Sequence, residues 1–277
     1  MGRVPTAEIV SQARDRGVAA IAFNVIGLEQ AEAVAAGAEA AGTPVLLQVS
    51  ENAVRFRGGR IGPLAAALRA IAEEAAVPIG LHLDHATTPE LCRAAAAAGF
   101  SSIMFDAADR PYAENVAATR EVAGWAHGAG LWLEAELGEI GGKEGAREGE
   151  LTDPTEAAGF VEATGVDLLA VAVGSRHKML GATAILDLDR IMRLRKSVPV
   201  PLVLHGSSGV ADGHLREATR AGIAKINVGT RLAQRFTEIV RARLAADSSL
   251  VDPRSYLADA RTAMASEVEQ MLIALSR

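Results

Sequence analysis

The stretch VPIGLHLDHATT (77–88) runs through apolar residues and then sets His82, Asp84 and His85 within four positions. A strand that only packed would gain nothing from them, because a buried ionisable group is costly unless it is paired or put to use. The chain has six histidines, His82, His85, His127, His177, His205 and His214. Neutral imidazoles from three different strands can close on one divalent ion and leave a fourth position for substrate, the arrangement of a catalytic zinc site. His85, His177 and His205 are placed for this, each at or beyond the end of a different apolar run. Any one of them alone reads more readily as a hydrogen-bonded structural histidine, and three at equivalent positions reverse that preference. Asp84 would be held near the same ion, where a carboxylate can exchange a proton with a substrate hydroxyl. A helix cap or a metal-supporting partner are the other roles open to it. His82 is assigned to the strand face opposite Asp84 and to a structural or supporting role. His127 and His214 fall in predicted helices or at their edges and are expected to face solvent.

Positioning these groups is the task of eight short apolar runs of strand length: AAIAF (19–23), PVLLQV (44–49), PIGLHL (78–83), SSIMF (101–105), LWLEAEL (131–137), DLLAVAV (167–173), PLVLH (201–205) and AKINV (224–228). The segments between them, such as EQAEAVAAGAEAAG and PELCRAAAAAG, are rich in helix formers and carry glycine near their ends. Eight such repeats predict an α/β fold, a closed (β/α)8 TIM barrel, with an open doubly wound sheet as the competitor. No linker-like stretch divides the chain, so one barrel domain over 1–277 with a C-terminal helical extension is expected. A barrel gathers the C-terminal ends of its strands at one mouth, where barrel enzymes keep their chemistry. Asn24, Ser50, Asp84 with His85, Asp106, Glu136, His177, His205 and Asn227 all stand at those ends.

Two further segments belong to the same mouth. EAELGEIGGKEGAREGELTDP (134–154) puts Glu134 and Glu136 on one strand face. It then enters a glycine-rich charged loop in which Gly141 and Gly142 would let Glu144 swing over bound substrate; a solvated surface loop is the plainer alternative. HGSSG (205–209) and NVGT (227–230) offer small residues, hydroxyls and backbone N–H groups after strands seven and eight, where barrel enzymes often hold a phosphate.

Composition narrows the class of partner. The formal charge of −6 comes with no basic stripe, so neither nucleic acid nor an anionic membrane is expected, and a small molecule is. The single cysteine, Cys92, cannot make an internal disulfide and reads as a buried helix position. With no signal-like or membrane-spanning apolar segment, a cytoplasmic location is expected.

The motifs AFNV, HLDHA, EAELGEIGG, LTDPTEA, VAVGSRH, PLVLHGSSG, AKINVGT and DPRSYL are similar, in that order, to those of the class II, metal-dependent fructose-bisphosphate and tagatose-bisphosphate aldolases. The resemblance runs from near residue 5 to the C-terminal helix. It implies a barrel lyase that reversibly cleaves a ketose 1,6-bisphosphate to dihydroxyacetone phosphate and an aldehyde such as glyceraldehyde 3-phosphate. By motif match, His85, His177 and His205 resemble the zinc ligands, and Glu136 resembles an alternative carboxylate ligand. Asp84 resembles the residue that exchanges a proton at the C4 hydroxyl, and Glu144 the loop glutamate that moves a proton beside the carbonyl. Asn227 resembles the residue that hydrogen-bonds the enediolate. Gly206, Ser208 and Thr230 resemble phosphate contacts, with Ser50 near the substrate, and Arg254 resembles an arginine for the second phosphate that reaches into a neighbouring subunit. Asp106 keeps its family position, and a homodimer or homotetramer is implied.

The chain also departs from the pattern. Lys178 and Ser207 stand where the family carries glycines, which leaves an accessory monovalent cation open. In DAADRPYAEN (106–115), Ala108 and Asp109 replace a serine and a histidine, so tagatose bisphosphate or another ketose phosphate stands beside fructose 1,6-bisphosphate. Two competitors complete the set. A Schiff-base aldolase would use Lys225, which shares strand parity with Asn227. A non-catalytic sugar-phosphate-binding paralogue would keep the fold without turnover.

Overall fold

The computed structural model describes residues 2–138, 140, 151–177, 179 and 181–276. Its strands are β1 (Ala20–Asn24), β2 (Val45–Ser50), β3 (Ile79–Ala86), β4 (Ser102–Phe105), β5 (Trp132–Leu137), β6 (Leu168–Val171), β7 (Leu202–Leu204) and β8 (Ile223–Val228). Each pairs in parallel with the next, and β8 pairs with β1, closing the barrel. The eight predicted runs are these eight strands, and the open sheet is excluded. The helices are α1 (Thr6–Asp15), α2 (Leu28–Ala41), α3 (Glu51–Phe56), α4 (Gly62–Glu74), α5 (Pro89–Ala97), α6 (Tyr112–Gly128), α7 (Pro154–Thr164), α8 (Leu188–Ser197), α9 (Asp212–Ala221), α10 (Thr230–Ala246) and α11 (Pro253–Leu275). A 3-10 turn covers Ser207–Gly209.

Local sequence explains where helices begin and end. Asp153 accepts the N–H groups of Thr155 and Glu156 at 2.8 and 3.1 Å, Pro154 follows it, and Gly165 closes α7 in the left-handed region. None of the described helices is long and apolar enough to cross a membrane.

The two-residue period of the strands separates two apolar populations. Ile21, Phe23, Val45, Leu47, Ile103 and Phe105 face outward and pack beneath the helices. Ala20, Ala22, Leu46, Met104, Leu168, Ala170 and Val203 face inward, and Ile9, Val10 and Ala13 of α1 pack with them at the barrel floor. Further along the strands the inward positions turn polar: Gln48, His82, Asp84, Glu134, Glu136, Lys225 and Asn227 are all buried. Apolar residues below and polar residues above therefore build a floor and a polar mouth from one repeating pattern.

Strand β3 breaks the alternation at its end. Leu83 pairs with Ile103 and Ala86 with Phe105, so three steps along β3 are matched by two along β4. The extra residue is taken up at His85, which has φ 51°, the only positive φ among the described non-glycine residues. Such a bulge re-aims a side chain. Without it, His85 would follow Leu83 to the outer face; with it, His85 joins Asp84 at the mouth. The same period corrects the reading of His82, which shares its parity with Asp84 and lies on the inner face beneath it, fully buried.

The chain finishes with α10 and α11, and α11 packs against α2. Gly37 makes this approach possible: a Cβ there would lie 2.5 Å from the Ala265 carbonyl oxygen and 2.7 Å from the Val268 Cβ. Alanine at Gly37 would gain about 1 kcal/mol of helix propensity, but overpacking costs about 1–3 kcal/mol. Gly37→Ala is therefore expected to lower the urea midpoint, and an unchanged or raised midpoint would contradict this packing. Cys92 is fully buried in α5, and burial pushes its thiol up to about 12. It is expected to resist a thiol reagent in the folded protein and to react fully in denaturant.

Candidate active site

A cavity of about 360 Å³ opens at the C-terminal ends of the strands. His85, His177, His205 and Glu136 each present a ligand atom there, and these atoms lie within 4.8 Å of one another. The three rings meet edge to face, with centroids 4.8 to 5.7 Å apart. His85 comes from the bulge of β3, His205 from the residue after β7, His177 from the segment after β6 and Glu136 from an inward position of β5.

Carboxylates behind the rings set which nitrogen faces inward. His85 Nδ1 is 2.7 Å from Asp106 Oδ2, and His205 Nε2 is 2.8 Å from Glu134 Oε1. A carboxylate takes a proton on the near nitrogen and leaves the far one as a lone pair. The far nitrogens, His85 Nε2 and His205 Nδ1, then face each other at 3.0 Å. Burial, reinforced by the neighbouring His85, holds His205 well below the ordinary imidazole pKa, in the neutral form that could bind a metal.

Asp84 lies beside this cluster, with Oδ1 3.8 Å from His85 Nε2. Its Oδ2 accepts from the Asn24 amide at 3.2 Å and its Oδ1 from the Asn227 amide at 3.4 Å. Burial pushes its pKa up, but positive charge close by, the Lys225 ammonium included, outweighs burial and holds the carboxyl below the usual range. Asp84 is part of β3 and not a helix cap. Asn24 is in turn held by the Gln48 amide at 3.1 Å. Gln48, Arg55 and Thr87 line the cavity without having been singled out in the sequence, although Gln48 is a polar residue at an inward position of an otherwise apolar strand.

The expected phosphate region also opens into the cavity. Gly206, Ser208 and Thr230 line it together with Gly229, which caps α10. Ser208 Oγ accepts the Arg231 N–H at 3.1 Å, leaving its own proton for a ligand. Gly206 has φ 67°, and a Cβ there would lie 2.5 Å from the Arg176 carbonyl oxygen, so only glycine fits. Ser207 is buried and its hydroxyl donates to the Asn227 carbonyl. Ser50 lines the opposite wall while accepting the Ala53 N–H at the start of α3.

Other expected residues lie elsewhere. Arg254 is at the start of α11, exposed and paired with Asp252 at 2.6 Å, and does not line the cavity of this chain. Glu144, Gly141, Gly142 and Lys178 lie outside the described residues. His127 is exposed and 3.0 Å from Asp167. His214 is half-buried instead of facing solvent, because its Nε2 accepts the Leu186 N–H at 2.8 Å. Lys225 points into the barrel, where Glu134 Oε2 at 2.8 Å and Asn227 Oδ1 at 2.7 Å engage its ammonium.

Known proteins resemble this chain along nearly its whole length. Residues 4–277 match the family model for class II fructose-bisphosphate aldolase. The chain is 40% identical over 273 residues to a probable fructose-bisphosphate aldolase of Bacillus subtilis, covering 97% of this chain and 95% of that protein. It is 36% identical to a 6-phospho-5-dehydro-2-deoxy-D-gluconate aldolase of Shouchella clausii, covering 98% and 94%. Among solved structures, the YdjI aldolase of Escherichia coli K12 superposes with a TM-score of 0.85 at 31% identity, covering 97% and 95%. The chain therefore belongs to the class II fructose-bisphosphate aldolase family, whose members are metal-dependent lyases.

Proposed function

We propose that the chain is a zinc-dependent aldolase that reversibly cleaves a ketose 1,6-bisphosphate, fructose 1,6-bisphosphate first, to dihydroxyacetone phosphate and an aldehyde. The observation that carries this reading is the convergence of three imidazoles and Glu136 within 4.8 Å, directly beside Asp84. This donor set fits a borderline divalent ion such as zinc, because neutral nitrogens face inward while Asp106 and Glu134 hold the opposite ring nitrogens. His85, His177 and His205 would hold the ion, with Glu136 as the alternative ligand. When bound, the ion supplies Lewis-acid polarisation of the ketone oxygen.

The chain's own residues supply the rest. Ser208 and Thr230, with the backbone N–H groups around Gly206 and Gly229, bind the phosphate next to the ketone at the positive end of α10. Asp84, ionised between two amides, takes the C4 hydroxyl proton as the C3–C4 bond breaks. The bonding electrons move toward the ketone oxygen, where Asn227 donates an N–H to the developing charge. Glu144 then delivers a proton to C3. Arg254, too exposed to act within its own chain, would complete the far end of the site in a neighbouring copy of a homodimer or homotetramer.

A second substrate is favoured by the far wall. Among the described residues, Arg55 is the one arginine or lysine lining the cavity, and its guanidinium is already paired with Glu51. With a single, already engaged guanidinium among its described residues, this wall also suits a terminal group less charged than a second phosphate. A monophosphate such as the substrate named for the Shouchella clausii relative is therefore tested alongside the bisphosphates.

The deciding experiment compares cleavage of fructose 1,6-bisphosphate, tagatose 1,6-bisphosphate and 6-phospho-5-dehydro-2-deoxy-D-gluconate with and without chelator, followed by added zinc. Chelator-sensitive cleavage restored by zinc is expected, and cleavage that ignores the chelator would return the chemistry to Lys225. Asp84→Ala is expected to keep its metal and lose about 10²–10⁴-fold in kcat. His85→Ala is expected to lose both metal and turnover. Full activity in Asp84→Ala would overturn the proton-transfer assignment.

A further inference from the structure

Beneath the mouth, Lys225 is fully buried at an inward position of β8. Its Nζ faces three acceptors: Asn227 Oδ1 at 2.7 Å, Glu134 Oε2 at 2.8 Å and Gln48 Oε1 at 3.4 Å. An ammonium offers donors and no acceptor, whereas an amide can present either its oxygen or its nitrogen. The oxygen of each facing amide must therefore point down at Lys225, and its nitrogen must point away.

The consequence passes up through the site. The Gln48 nitrogen reaches Asn24 Oδ1 at 3.1 Å, which turns the Asn24 nitrogen onto Asp84 Oδ2 at 3.2 Å. The Asn227 nitrogen reaches the other oxygen, Asp84 Oδ1, at 3.4 Å. It also lies 3.0 Å from His205 Nε2; with the proton on that nitrogen committed to Glu134, the two are neighbours and not partners.

We propose that Lys225 is a positioning residue: its buried ammonium fixes the direction of the Asn227 and Gln48 amides and, through Gln48, of Asn24, so that donors face Asp84 and the substrate. Lys225 touches no substrate. It sets the polarity of the groups that do, which gives the buried lysine a purpose without Schiff-base chemistry. The inference rests on the aldolase reading of Asp84 and Asn227.

A double-mutant cycle on the metal-loaded enzyme tests it, with metal content measured for each variant. Lys225→Met and Asn227→Ala are each expected to lower kcat about 10²-fold, the usual cost of one misdirected donor. The double variant should lie within about twofold of the worse single one, because Asn227 is already misdirected once the ammonium is gone. Losses that multiply would overturn the proposal. Should Lys225→Met fail to fold around the orphaned Glu134 charge, Lys225→Met/Glu134→Gln serves as the background, since glutamine can still accept from His205. A readout independent of turnover comes from the side-chain amide ¹⁵N signals of the metal-free protein. The Asn24 signal is expected to move in Lys225→Met although the two residues do not touch, and an unmoved signal would overturn the relay. If wild-type protein cleaves none of the three substrates, the aldolase reading fails and the Asn24 signal still decides the relay.

Discussion

The site depends on one irregular step at the end of β3. Strict alternation allows one of two successive residues to face the inside of a barrel, yet the proposed chemistry needs both Asp84 and His85 there. The bulge resolves this by giving His85 a left-handed backbone and one unmatched residue in the ladder. A non-glycine residue in that conformation costs about 1–3 kcal/mol and persists only when its surroundings hold it. Here the bond from His85 Nδ1 to Asp106 and the regular pairs on either side of the bulge do so.

Electrostatics below the mouth follow from placing so many polar groups in a closed barrel. Glu134 is the shared partner: one oxygen meets His205 and the other meets Lys225 and lies 3.6 Å from His82. Burial, with Lys225 nearby, holds His82 well below the ordinary imidazole pKa, so it stays neutral and its Nδ1 pairs with Ser102. Removing one partner from a buried pair such as Lys225 and Glu134 costs about 3–5 kcal/mol, since it strands the other charge. The same groups that orient the site are thus tied to the stability of the barrel interior, while the apolar layer and α1 beneath them keep water out.

Much of this was legible in the sequence, for reasons that differ by residue. The strands were readable because each is a short apolar run followed by helix formers, and Asp84, Glu136, His205 and Asn227 because polar residues at strand ends stand out. The inward turn of His85 was not readable, since a bulge depends on pairing with β4, which lies outside the local pattern. His82 lies on the face opposite to the one expected, although the two-residue period alone places it with Asp84. The half-burial of His214 depends on a hydrogen bond from Leu186, and the place of Arg254 away from the cavity depends on how α11 packs against α2; neither is encoded nearby in the chain.

If three imidazoles hold a metal at this mouth, the coordination shell of the bound ion must show them. Zinc K-edge absorption spectroscopy on the zinc-loaded protein tests it most directly. One zinc per chain is expected, with three imidazole nitrogens at about 2.0–2.1 Å and a remaining oxygen ligand. Fewer than three imidazoles, or a sulfur ligand, would contradict it.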